Sequence, residues 1–140
     1  QPVHLERLYI LDFFFANAPL LHRVTMTADV RSAFRDLAIP KPDKVFLSYP
    51  ASPLLFHQME SAQTSALRAL TGKGLLNTES FADKSAELST LGSSLFVDIK
   101  NRIDSAQESA LARFLVNQYS ASHENGMGSL RSSCGLRRSV

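Results

Sequence analysis

Four histidines, one cysteine and thirteen carboxylates are the residues of this 140-residue chain with which metal or acid–base chemistry could be done. His4, His22, His57 and His123 lie apart, none at metal-ligand spacing from another histidine or from Cys134. One cysteine cannot build a structural zinc site. The carboxylates are scattered, and Asp12 stands out because it interrupts an apolar run. A carboxylate so placed could serve as a general base, but no ionisable partner shares its element. The simpler reading is a buried acceptor, paired with a neighbouring donor or with an arginine of another subunit. Gly72-Lys73-Gly74 lacks the length of a Walker motif and the strand before it, so it reads as a helix cap and turn. No catalytic, metal or cofactor site is expected. A hydrolase built on Asp12 is the weakest reading of the chain.

The element that must position Asp12 is LYILDFFFANAPLL, Leu8 to Leu21. Seven of the eight residues from Leu8 to Phe15 are large and apolar. Around a helix, at about 100° per residue, Leu8, Leu11 and Phe15 take one third, Ile10 and Phe14 the next, and Tyr9 and Phe13 the last. A helix that is apolar all round is buried all round, and a chain of this size is too small for a large core. Something outside the chain is therefore expected to cover one side. Placing Leu11 on the chain's own core leaves Tyr9, Asp12 and Phe13 as the candidate partner interface. A signal peptide is not expected of the run, although Arg7 precedes it and Ala16-Asn17-Ala18 has small-x-small form, since Glu6 and Asp12 occupy what would be its basic and apolar regions. A membrane span needs roughly 20 apolar residues, about twice what is here, so no membrane partner is expected. The lone cysteine excludes an internal disulfide and suits a reduced, cytoplasmic setting.

Further along, a first helix from about Leu5 to Asn17 is ended by Pro19. Thr27 caps a second, with Val30, Phe34 and Leu37 on one face and Pro40 after it. Val45 to Tyr49 is a short strand-like run fenced by prolines. Ser52 and Pro53 open a third helix, with Leu55, Met59, Ala62, Ala66 and Leu70 on one face and Gly72 ending it in left-handed geometry. Leu75–Thr78 and Ala86–Ser89 are then expected to pair as a β-hairpin. A last helical region, Thr90 to Tyr119, carries Leu95, Ile99, Ile103, Ala106, Ala110 and Phe114 at helical spacing. Unbroken it would be about 42 Å long, too long to bury itself on a small domain, and the Ser105/Glu108 capping-box spacing marks a break near Asp104. The Ser-, Gly- and Arg-rich residues 120–140 read as a disordered tail. The expected class is mainly α with a small β-hairpin (α+β): a single winged-helix-like domain over residues 1–119 with a long C-terminal helix.

A winged helix suggests DNA binding, with Arg68, Lys73 and Lys84 as the contacts. Charge argues against it. From residue 120 onward three arginines less one glutamate give +2, the whole-chain value, so residues 1–119 sum to zero. Between Met59 and Glu87 those three cations face four carboxylates. Affinity for DNA comes chiefly from neutralised phosphates, so nucleic-acid binding by the body is expected to be weak or indirect.

Taken together, LERLYILDFFFANAPLL and LTGKGLLN resemble the middle components of bacterial ABC-three-component (ABC-3C) systems, over roughly Leu5 to Phe114. Arg7-Leu8, Leu11-Asp12, the run Phe13–Phe15 with Asn17 and Pro19, and Lys73-Gly74-Leu75-Leu76 carry the likeness. The resemblance implies a winged-helix-like adaptor without catalytic residues, linking a chromosome-maintenance-type ATPase to an effector in defence against phages or plasmids. ATPase and effector subunits are then the protein partners, with a homodimer as a further form. The alternative is a dimeric winged-helix transcriptional regulator.

Overall fold

The computed structural model describes residues 1–42, 51–102, 106–124 and 126–136. The strand-like run Val45–Tyr49 and the break expected near Asp104 lie outside those residues. The chain is mainly α-helical with a small antiparallel β element, as the patterning indicates.

Strand β1 (Val3–His4) leads into helix α1 (Leu5–Ala16), and His4 caps it by accepting the Glu6 N–H on Nδ1 at 3.1 Å. Asn17 closes α1 by donating Nδ2–H to the Phe13 carbonyl at 3.0 Å. A 3-10 turn, Ala18–Arg23, follows with Pro19 in its first turn. Helix α2 (Ala28–Asp36) starts after Thr27 and buries Val30 and Phe34.

The single helix expected from Ser52 to Gly72 is two, α3 (Ser52–Gln58) and α4 (Glu60–Gly72), divided at Met59. Ala51, not Ser52, is the cap residue of α3. The buried face also differs from the expected one: Phe56, Gln63 and Leu67 point inward, while Leu70 is 38% exposed. A stripe relying on Ala62 and Ala66 removes less apolar area from water than Phe56 and Leu67 do, so the larger side chains turn the helix. The left-handed residue ending α4 is Gly74 (φ 75°) rather than Gly72. There the Leu75 N–H reaches back to the Leu70 carbonyl at 2.9 Å, in a Schellman-type close.

The expected hairpin is reduced to one antiparallel bridge, Leu76 with Leu88. Asn77 N–H to the Glu87 carbonyl (2.9 Å) and Ser89 N–H to the Leu75 carbonyl (3.0 Å) flank it. Between them the chain forms a short helix, α5 (Thr78–Ala82), and a strand, β2 (Ser85–Ala86). Strand β2 pairs not with Leu75–Thr78 but with β1, Val3 opposite Ala86 and His4 opposite Ser85. The start of the chain has taken the place of the near strand.

Helix α6 (Thr90–Arg102) is followed by α7 (Ala106–Phe114), which runs into a π-helical turn, Leu115–Ser120, and a 3-10 turn, Ala121–His123. The segment expected to be a disordered tail instead forms helix α8 (Met127–Cys134), closed by Gly135 at φ 71°. Leu130 and Leu136 are fully buried, so the folded unit extends past the boundary expected at residue 119. Two leucines suffice because each enters a core already lined by Phe14, Phe114, Leu115 and Tyr119.

The late elements and the α3–α4 pair cover α1 from different sides. Leu5, Glu6, Tyr9, Ile10, Phe13 and Phe14 are all buried and span an arc of about 180° on the helix wheel. Phe13 sits near its middle, with its ring edge-on to Phe14 (5.2 Å) and to Phe56 (5.5 Å). Leu11, about 160° away, is the half-buried residue. The expected orientation of α1 is thus reversed: Phe13 is core, and the cover comes from the same chain, with Phe56 of α3 on Phe13, Gln63 of α4 on the Tyr9 carbonyl, Tyr119 of the π turn on Phe14 and Arg131 of α8 on Glu6.

Candidate protein-interaction surface

Of the three residues proposed for a partner interface, Tyr9 and Phe13 are 5% and 0% exposed within the chain's own core. The reason is the packing just described: Phe56 of α3 meets Phe13, and Gln63 of α4 reaches the Tyr9 carbonyl, so this side of α1 is covered from within the chain. Asp12 is exposed rather than buried, and accepts the Gln63 Nε2–H at 2.8 Å; the same amide donates to the Tyr9 carbonyl at 3.1 Å. The buried carboxylate is Glu6, 1% exposed, bound by Arg131 Nε at 2.6 Å and by Arg131 Nη2. Arg7 donates to the carbonyls of Ser120 (3.1 Å) and His123 (2.6 Å). Two neighbouring charges of α1 therefore tie down the end of the chain.

Burial shifts the ionisable side chains of that end. Burial pushes the Tyr119 phenol and the Cys134 thiol up from their ordinary values, which keeps both protonated. The Tyr119 hydroxyl lies 2.8 Å from Ser133 Oγ. Burial and the Arg7 charge lower His123. Among the described residues no group of three His, Cys, Asp or Glu side chains could hold a metal. Nor is any described helix long and apolar enough to cross a membrane.

Arg68, Lys73 and Lys84 are all exposed. They belong to α4, its cap and the residue before β2, and no hydrogen bond or ion pair links them.

The outward-facing apolar residues are elsewhere. On α6, Leu91, Leu95, Ile99 and Phe96 fall within an arc of about 140°, the stripe by which a helix normally packs on its core. Here they are 59%, 40%, 46% and 52% exposed, and the only buried residue of α6 is Gly92. That glycine pins the helix start: a Cβ at its position would lie 2.0 Å from the Leu75 carbonyl oxygen. Ser89 adds a second tie, its Oγ accepting the Gly92 N–H at 3.0 Å and donating to the Gly74 carbonyl at 2.5 Å. Phe96 also borders a groove of about 440 Å³ whose lining includes Phe15, Val116, Lys100 and Arg113. The expectation that the last helical region is too long to bury itself was the signal for this surface, although it named none of Leu91, Phe96 or Val97 as site residues.

An apolar helix displayed on a folded body is what a component of an assembly presents, and the family model of the ABC-three component (ABC-3C) system Middle Component 5 matches residues 1–139. The chain belongs to that family. The match includes the C-terminal segment that folds over α1, in keeping with its being part of the folded unit. A Middle Component 5 chain is a component of a multi-component system, which implies protein partners. No curated protein and no solved structure matches the chain.

Proposed function

We propose that this Middle Component 5 chain is a non-enzymatic adaptor of the cytoplasm, joining a chromosome-maintenance-type ATPase to an effector in a bacterial antiviral defence system. The single observation carrying this reading is α6, an amphipathic helix with its apolar stripe turned to solvent. Fully burying a large aliphatic or aromatic side chain contributes about 1.5–3 kcal/mol. Burying the remaining surface of Leu91, Leu95, Phe96 and Ile99 would add on the order of 1 kcal/mol each, enough to anchor a partner. The α2–α4 helices and the Leu76–Leu88 return then act as a winged-helix-like scaffold that holds α6 away from the core.

The test is co-expression of the tagged full chain with the ATPase and effector encoded beside it. Both should co-purify, and Leu95→Ser with Ile99→Ser should release at least one of them while leaving the melting temperature near that of the parent. A chain that purifies without either neighbour, or that binds a duplex sequence-specifically at nanomolar concentration, would replace the adaptor by another function.

A further inference from the structure

The groove beside α6 has a chemistry of its own. Its apolar walls come from three separate elements: Phe15 at the end of α1, Phe96 in α6 and Val116 in the π-helical turn, 42%, 52% and 58% exposed. Its rim carries Lys100 and Arg113, both exposed and neither, among the described residues, in a hydrogen bond or ion pair with another side chain. The carboxylate in the lining, Glu108, is already engaged within the fold. We propose that this groove docks an amphipathic helical segment of a partner protein whose apolar anchors are flanked by carboxylates.

Three arguments select that occupant. An open trough with a helix on either side, α6 and α7, has the shape that accepts a third helix through residues at i, i+3, i+4 and i+7. Free cations on the rim favour acidic neighbours to those anchors, because complementary charge steers and registers the encounter. A second copy of this chain fits worse. A two-fold interface sets the same patch against itself, bringing the Lys100 and Arg113 of one copy towards those of the other. Nucleic acid fits worse still, since two cations beside apolar walls neutralise few phosphates. The proposal rests on the adaptor reading only in taking the occupant to be another protein.

The probe is a labelled amphipathic helical peptide with Leu at i, i+3, i+4 and i+7 and Glu on its flanks, compared with a twin carrying Lys for Glu. Binding to the full chain is followed by fluorescence anisotropy. The Glu peptide should bind about tenfold tighter or more, with a preference that shrinks as salt rises. Lys100→Glu with Arg113→Glu should reverse the preference, and Phe96→Ala should weaken both peptides. Equal affinity for the two peptides, or none for either, overturns the proposal. So does sedimentation of the parent chain as a dimer that Phe96→Ala dissolves. The adaptor reading stands or falls separately, on co-purification with the neighbouring subunits.

Discussion

Glu6 and Arg131, 125 positions apart in the chain, form a two-point ion pair that ties the first turn of α1 to α8. Glu6 is buried and Arg131 keeps 38% of its side chain exposed, so the pair sits where the fold meets solvent. Removing one partner of a buried pair costs more than removing both. Arg131→Met should therefore lower the melting temperature, and Glu6→Met combined with Arg131→Met should recover part of the loss. A double-mutant cycle by thermal unfolding measures the coupling.

Phe13→Ala should cost about 3–5 kcal/mol of stability, as truncations of buried aromatics do, because Phe13 is fully buried between Phe14 and Phe56. Leu11→Ala should cost clearly less. Urea unfolding of the two variants decides the order, and the reverse order would mean that α1 is turned the other way.

Gly92→Ala should dislodge the start of α6 rather than stabilise it as a helical alanine ordinarily would. The added carbon would meet the Leu75 carbonyl oxygen at 2.0 Å, a backbone atom that cannot swing aside. Amide exchange at Ser89 and Gly92 should quicken, with core amides of α1 little changed. Loss of partner capture should accompany it.

Cys134 should react slowly with iodoacetamide in the native chain at pH 8 and much faster in denaturant. Burial both shields the sulfur and raises its pKa, and only the thiolate attacks. Comparable rates in the two conditions would mean that α8 is not docked.

His123 binds protons more weakly in the fold than the ordinary imidazole value of 6.5, through burial and the Arg7 charge. The unfolded chain therefore takes up more protons near and below that pH. Stability is full above about 6.5 and declines as pH falls through it. His123→Gln should make the fall in melting temperature between pH 7 and pH 5 slightly shallower, the effect being small because the ring is largely solvated.

Helix α2 was legible because Val30 and Phe34 alternate with polar residues, so periodicity alone selects the face. Helix α1 was not. With seven large apolar residues among eight, only Asp12 marks an outside, and a lone carboxylate in such a run reads equally as a buried acceptor. Asp12, the carboxylate expected to be buried, is exposed, and Glu6 is buried instead by an arginine that no local window contains. Helix α8 escaped for the opposite reason: Leu130 and Leu136 are too sparse among Ser, Gly and Arg to make a pattern, and their burial is decided by a cavity built elsewhere. The reduced hairpin shows the same limit, since Leu76 and Leu88 meet as their apolar spacing suggests, but the claim of β1 on β2 is a long-range choice. At the candidate surface the apolar stripe of α6 could be read directly. That it stays uncovered depends on where α1, α7 and α8 go.

The closure of α1 by the far end of the chain also has a timing. At roughly 5–20 residues per second, translation separates Glu6 from Arg131 by about 6–25 s. Throughout that interval Glu6 lacks its counter-charge and, until the π turn is made, Phe14 lacks Tyr119, and contacts spanning most of the chain slow folding further. Chains stopped before the π turn and α8 would thus display the side of α1 that carries Phe14 and Glu6.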